Sequence, residues 1–68
     1  MTRWEYNTAT YTRVSIGTWI WEEEQLRGLQ IFEALDALGR DGWELVSTSS
    51  VIEKGETYST QFFFKRPL

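Results

Sequence analysis

The sequence predicts an α+β fold, a small β-α-β-β domain in which one helix packs on one face of a three-stranded sheet. Residues alternate with period two near both ends of the chain, and an amphipathic stretch with helical spacing lies between them. Turns that contain glycine separate these segments. The 68 residues predict a single domain over 1–68, because separate cores form only in much longer chains.

The first predicted strand covers residues 3–15. Its even positions carry aromatic and β-branched side chains, which is typical of one long strand or of two strands joined by a bulge. Tyr11 and Arg13 then share the polar face of this strand. Gly17 ends the strand, and we interpret the segment Trp19-Ile20-Trp21 as a short apolar loop.

The predicted helix begins at the acidic run Glu22–Glu24, because negative charges stabilise the positive end of the helix dipole. Apolar side chains gather on one face of this segment as far as Leu38. Gly28 either marks a close approach to the sheet or precedes the true start of the helix. The segment Gly39-Arg40-Asp41-Gly42 ends it, since either glycine can adopt the left-handed conformation common at helix C-termini.

The second and third predicted strands cover residues 43–52 and 57–66, and Glu53-Lys54-Gly55-Glu56 forms a hairpin turn between them. A single helix covers only one face of such a sheet, whereas apolar side chains alternate to both faces. Uncovered apolar residues usually mark an interface. The sequence therefore predicts a homo-oligomer, most simply a two-fold dimer, with these interface residues: Val46, Ile52 and Phe63. Alternatively, residues 19–21 fold back over that face.

The charge composition argues against several classes of partner. Seven Lys and Arg stand against ten Asp and Glu, a net charge of -3 without a basic tract, so double-stranded nucleic acid is not expected as a partner. No segment approaches the ~20 apolar residues of a membrane helix, so no membrane partner is expected either. The N-terminus lacks the apolar stretch of a signal peptide, which predicts a cytoplasmic location.

The absence of cysteine and histidine bears on catalysis. It excludes Ser-His and Cys-His arrangements and removes the usual zinc ligands. We therefore predict that the protein is not an enzyme and uses no cofactor or metal. Acid/base or magnesium-dependent catalysis by Asp41 with Glu44, or by the acidic run Glu22–Glu24, is the alternative.

A second group of residues suggests ligand binding. Trp19 and Trp21 can stack on a planar ring, and Tyr11 with Arg13 can meet an anionic group. Further positive charge lies near the chain end, at Lys65 and Arg66. The alternatives are packing for the tryptophans and ordinary surface charge for the cations. These residues favour a binding protein for a small anionic or aromatic ligand, and the alternative is a module that binds or inhibits a host protein through the exposed sheet face.

Three segments resemble a known family: Arg3-Trp4-Glu5-Tyr6, the stretch from Leu38 to Val46, and Phe64-Lys65-Arg66-Pro67-Leu68. The family is domain of unknown function 4177, short proteins of bacteria and their phages with a WEY strand, an LxxxGWELV motif and a terminal FKRP. The resemblance covers most of the chain and implies a β-α-β-β domain, but no catalytic or binding residue. Phage proteins of comparable size and fold include inhibitors of host defence that sequester nucleotide signals. By this analogy alone, the ligand is expected to be a signalling nucleotide.

Overall fold

The computed structural model describes residues 2–68. They form four strands, one α-helix and one short 3-10 helix, in the order β1 (Trp4–Ser15), β2 (Thr18–Trp21), the 3-10 helix (Glu24–Leu26), α1 (Ile31–Arg40), β3 (Glu44–Glu53) and β4 (Glu56–Pro67). The strands lie in the order β2-β1-β4-β3, and each pair of neighbours is antiparallel. The predicted three-stranded sheet with a helix packed on one face is therefore wrong. The protein is mostly sheet, with four antiparallel strands and one helix.

The additional strand, β2, contains the segment Trp19-Ile20-Trp21 that we interpreted as a loop. It pairs with the end of β1, where Trp21 lies opposite Tyr11 and Trp19 lies opposite Arg13. Gly17, with φ of 75°, forms the turn between the two strands. A strand of four residues is too short to show a period of its own. Its hydrogen-bonding partner in β1 is what makes it a strand.

The helix starts later than the acidic run predicts. Gly28 has φ of 86°, a left-handed conformation that a right-handed helix excludes. No atom lies within 4 Å of the position that a Cβ would take there, so Gly28 marks no close approach to the sheet. The helix begins at Ile31, where the backbone N–H of Gln30 donates to Glu33 Oε1 at 2.8 Å. This is the reciprocal half of a capping box.

Gly42 is the left-handed glycine that ends α1, with φ of 90°. Its N–H donates to the carbonyl of Gly39 at 2.9 Å, and the N–H of Trp43 donates to the carbonyl of Leu38 at 3.0 Å. These two bonds define a Schellman motif, which satisfies the last carbonyls of the helix. The chain therefore leaves the helix directly into β3.

The core lies on the face of β1 that carries the odd-numbered residues, which the sequence alternation predicts to be the polar face. Ala9 is 2% exposed on that face, whereas Tyr6 on the other face is 72% exposed. The small side chain of Ala9 leaves room for the rings of Trp21 and Phe62, whose centroids are 5.4 Å apart. The buried core consists of Ala9, Trp21, Leu26, Ala34, Leu38, Phe62 and Phe64.

Within the β3–β4 hairpin, β4 contributes Phe62 and Phe64 to this core, whereas β3 contributes no buried residue. Every residue of β3 is exposed. The predicted turn is present, and both of its central residues have positive φ, 52° at Lys54 and 77° at Gly55. This is the conformation of a type I′ turn, which matches the twist of the two strands. The hairpin contributes to the elongated shape, 45 × 23 × 16 Å.

Candidate functional site

The six predicted binding residues fall into two groups along β1. One group surrounds the β1–β2 hairpin, and the other pairs with the start of β1. At ~3.3 Å per residue the groups lie ~20 Å apart, too far for one small ligand to contact both. The first group is Tyr11, Arg13, Trp19 and Trp21, and the second is Lys65 and Arg66.

Aromatic side chains from three strands form a continuous row at the β1–β2 hairpin. The rings of Tyr11 and Trp19 stack with centroids 5.5 Å apart and planes 17° apart. The ring centroids of Tyr11 and Trp21 are 4.8 Å apart, and the two ring planes are tilted by 47°. Antiparallel pairing places these side chains on one face of neighbouring strands. The row ends in the core at Phe62.

Trp21 is a core residue. Its side chain is 1% exposed, and its indole Nε1–H donates to the carbonyl of Leu29 at 3.1 Å. The Nε–H of Arg27 donates to the backbone carbonyl of Trp21 at 3.2 Å. These bonds fasten β2 to the segment before α1. Trp19 is half-buried and keeps part of its ring accessible.

An open cleft of about 240 Å³ lies beside the stacked pair Tyr11 and Trp19. Its opposite wall is the segment Gly28-Leu29-Gln30 that precedes α1. Gly28 has no side chain to occupy this space. The volume is slightly below the ~300–1,000 Å³ of typical ligand pockets. The cleft therefore accommodates about one planar ring, with the remainder of a larger ligand outside it.

Arg13 is the predicted anion-binding residue closest in register to the cleft, since it lies opposite Trp19 in the β1–β2 pairing. Its Nη1 donates to Glu56 Oε2 at 2.8 Å, and the side chains are 28% and 67% exposed, respectively. The pair borders a second shallow groove, beside Tyr58. An anionic group that reaches Arg13 must therefore compete with the carboxylate of Glu56.

Arg66 has a different environment from Arg13. Its guanidinium is hydrogen-bonded to Glu5, and its Nη1 donates to the carbonyl of Asp41 at 2.8 Å. The same group lies over the ring of Trp43, 4.2 Å from the centroid. Arg66 thus joins β1, β4 and the C-terminal end of α1. This explains the use of Arg, whose planar group donates in several directions and stacks on aromatic rings.

Lys65 lies next to Arg66 in sequence but on the other side of the sheet. Its Nζ is 4.3 Å from the centroid of the Trp4 ring. This cation–π contact leaves the ammonium group at the surface, where Lys65 is partly exposed. It lies far from the cleft.

The three predicted interface residues do not share one face. Phe63 is half-buried and lies opposite Ser47 in the β3–β4 pairing. Val46, 53% exposed, occupies the irregularity where the register of β3 shifts. Ile52, 68% exposed, is five positions after Ser47, with no extra β3 residue between them, so its side chain lies on the face opposite to Phe63.

Sequence reasoning missed the wall of the cleft and the partner of Arg13. Leu29 and Gln30 carry no motif, and their position depends on how the chain returns from β2. Glu56 is 43 residues from Arg13 in sequence and meets it only because β1 pairs with β4. Gly28 was the available signal, since a glycine within a predicted helix indicates an unusual conformation.

Residues 2–68 lack two further features. In that range no three His, Cys, Asp or Glu side chains are grouped in a way that could hold a metal ion. The same residues contain no helix of the length and apolar character needed to cross a membrane.

The comparison with known families identifies one that covers nearly the whole chain. The family model described as Domain of unknown function (DUF4177) matches residues 4–67, which include all four strands and α1. The resemblance seen in the three sequence segments is therefore confirmed. No curated protein and no solved structure matches the chain.

Proposed function

This chain belongs to the family Domain of unknown function (DUF4177), and we propose that it is a cytoplasmic, homo-oligomeric binding protein without catalytic activity. Its ligand is a small molecule with a planar ring and an anionic group, such as a signalling nucleotide. The ring stacks in the aromatic cleft, by which we mean the space bounded by Tyr11, Trp19 and the segment 28–30. The family name assigns no activity, so the proposal depends on the residues of this chain.

The stacked pair Tyr11 and Trp19 beside an open cleft carries the proposal. Both rings are half-buried, so their orientation is fixed while part of each ring remains accessible. Aromatic stacking on a nucleobase contributes ~1–3 kcal/mol per base. The cleft's volume of about 240 Å³ suits one base. The aromatic cleft therefore favours a ligand in which one ring supplies most of the contact.

Arg13 supports an anionic substituent on that ring. It neighbours Trp19 across the strand pair and is 28% exposed. An anion would replace the Glu56 carboxylate as its partner. Because Glu56 is 67% exposed, it can turn into solvent when displaced. The protein then exchanges one charge-assisted hydrogen bond for another.

A second candidate function is a protein-interaction module that blocks a host protein. The observation that favours it is the sheet face that carries Tyr6, since that side chain is 72% exposed. Trp4, 38% exposed, lies two residues before it on the same face. Exposed aromatic side chains are enriched at interfaces.

Native mass spectrometry of the protein purified gently from cells is the first test. One spectrum reports the number of subunits and the mass of any retained small molecule. An oligomer that carries a defined extra mass supports the proposal and gives the ligand's weight. A monomer that retains no small molecule but captures a protein partner through the Tyr6 face supports the second function and contradicts the first.

A matched pair of substitutions locates the ligand. Trp19→Ala removes one wall of the aromatic cleft, and Trp4→Ala removes a tryptophan from the other face as the control. AMP serves as a probe that has one base and one anionic group. We expect Trp19→Ala to abolish the AMP-induced shift of indole N–H resonances in NMR spectra, while Trp4→Ala retains it. Equal loss in both variants, or no AMP effect in the wild type, contradicts binding of a nucleotide at the aromatic cleft.

A further inference from the structure

β3 is an edge strand whose outer side has no neighbouring strand within the residues that the structure describes. All ten of its residues are exposed. Its interior contains no proline and no charged residue, because Glu44 and Glu53 are its two ends. Natural proteins usually protect a long edge with charges, proline or a covering segment, since an unprotected edge pairs with another chain.

The opposite edge of the sheet is protected along part of its length. β2 covers the C-terminal part of β1. On the N-terminal side of that part, the N–H of Thr10 donates to Glu23 Oε1 at 3.0 Å. The N–H of Glu22 donates back to the carbonyl of Thr10 at 2.9 Å. The N–H of Thr8 donates to Asn7 Oδ1 at 2.9 Å. The chain therefore occupies the outward backbone groups of β1 at Thr8 and Thr10, whereas those of β3 are open.

The pairing pattern shows which backbone groups of the sheet face β3. The N–H groups of Thr8 and Thr10 point away from β4, as their partners show. Backbone groups alternate in direction along a strand, so those of Ala9 point towards β4, where Ala9 pairs with Phe62. The next residue, Phe63, therefore directs its backbone groups towards β3.

The same alternation identifies the free groups of β3. Phe63 pairs with Ser47, so the N–H and C=O of Ser47 point towards β4, and those of Ser49 do the same. The N–H and C=O of Thr48 and Ser50 point outwards to solvent. They form a ready set of donors and acceptors for one more strand.

We propose that β3 pairs antiparallel with β3 of a second copy, about a two-fold axis through Ser49 and perpendicular to the sheet. The result is one continuous eight-stranded sheet. This inference rests on the homo-oligomer of the proposed function and names its interface. Thr48 then lies opposite Ser50 of the second copy, and each such pair exchanges both of its N–H···O bonds.

The sequence of β3 suits pairing with itself. A two-fold axis perpendicular to the sheet keeps each side chain on its own face, so residues pair only with residues an even number of positions away. The axis at Ser49 brings Val46 close to Ile52 of the second copy, and these side chains are 53% and 68% exposed in the single chain. It brings Glu44 near Lys54 of the second copy, so no like charges oppose each other. The regular ladder covers residues 47–51, between the two irregularities of the β3–β4 pairing.

Thr48→Pro tests the pairing, with Thr48→Ala as the matched control. Proline removes an N–H that faces solvent in the single chain, so the bonds between β3 and β4 remain. Alanine removes the side chain and keeps the N–H. Analytical ultracentrifugation measures the association state, and circular dichroism measures folding. We expect the wild type and Thr48→Ala to be dimers, and Thr48→Pro to be a folded monomer.

Hydrogen exchange of the wild type gives an independent result if Thr48→Pro fails to fold. The amides of Thr48 and Ser50 are expected to exchange slowly, and faster on dilution, because dissociation exposes them. A dimer in which both amides exchange freely contradicts the β3 interface and leaves the homo-oligomer intact. A wild type that stays monomeric contradicts both, and so does protection of these amides only in a complex with another protein. A Thr48→Pro variant that remains dimeric also overturns the proposal. AMP binding at the aromatic cleft is measured in a separate experiment, so a failure of the β3 interface is distinguished from a failure of the proposed ligand site.

Discussion

The two tryptophans of β2 are two residues apart but have different roles, and phenylalanine substitutions separate them. Trp21 is 1% exposed, and its indole N–H donates to Leu29. Trp21→Phe loses that bond, worth about 1 kcal/mol, and leaves the carbonyl of Leu29 with one partner fewer. The smaller ring also leaves a cavity beside Phe62, which costs about 1–2 kcal/mol. We therefore expect the free energy of unfolding to fall by about 2–3 kcal/mol.

Trp19→Phe is the control. Trp19 is half-buried and stacks on Tyr11, and phenylalanine retains a ring at that position. We expect a loss below about 1 kcal/mol, because surface substitutions that keep the main contact have small effects.

Urea denaturation of both variants measures the difference in their free energies of unfolding, and thermal unfolding measures the corresponding difference in Tm. In a domain of this size 1 kcal/mol shifts Tm by about 4–8 °C, so Trp21→Phe is expected to lower Tm by about 10–20 °C. The m-value should stay constant, since the surface exposed on unfolding hardly changes. Equal destabilisation by the two variants would refute the assignment of Trp21 to the core and Trp19 to the wall of the aromatic cleft.

Three further substitutions, one of them with a matched control, test other contacts. Arg66→Lys is expected to lower the free energy of unfolding by about 1–2 kcal/mol in urea titrations, because an ammonium group cannot reproduce all contacts of the guanidinium; an unchanged midpoint would contradict its role in joining the two strands and the helix. Gly42→Ala is expected to cost about 1–2 kcal/mol in thermal unfolding, since φ is 90°. Gly39→Ala within α1 is its control and should be neutral or stabilising by up to about 1 kcal/mol; similar losses in both would refute the Schellman assignment. Glu56→Gln replaces the charged partner of Arg13 with a neutral amide and is expected to tighten AMP binding about 2–5-fold in calorimetric titrations, as loss of an exposed ion pair worth below about 1 kcal/mol allows; weaker binding would show that Arg13 does not meet the anion.

Local sequence signals predicted the segments whose structure is determined by nearby residues. The turn at Lys54 and Gly55 follows from the tolerance of glycine for positive φ and from the alternating strands beside it. The end of α1 follows from Gly42, which closes the helix through bonds to residues at most five positions away. The predicted long strands at residues 3–15, 43–52 and 57–66 differ from the observed ones by at most one residue at either end.

The sequence left two starts for α1 open because local signals conflicted, and the structure confirms the later one, after Gly28. The acidic run at Glu22–Glu24 resembles the first turn of a helix, but Gly28 interrupts any continuous helix that begins there. Tertiary structure gives Glu23 another role, since its carboxylate accepts the N–H of Thr10 at the edge of β1. The sequence alone does not show which role prevails, because the partner is 13 residues away.

The candidate site shows the same division. The sequence identified Tyr11, Arg13, Trp19 and Trp21 as residues suited to ring and anion binding, and the β1–β2 pairing places them together. It also grouped Lys65 and Arg66 with them by charge alone, whereas register places those residues at the other end of β1. Residue type predicts what chemistry a side chain offers, but not its neighbours.

The sequence by itself determined the family, the long strands, the hairpin turn and the end of the helix, because each depends on residues close together in the chain. Only the tertiary structure decided that β2 is a strand, which face of β1 enters the core, and which side chains border the aromatic cleft. These features depend on the register between strands and on which segments pack against one another. The sheet forms by contacts between residues up to 63 positions apart, such as Trp4 opposite Pro67, and no local pattern records that pairing.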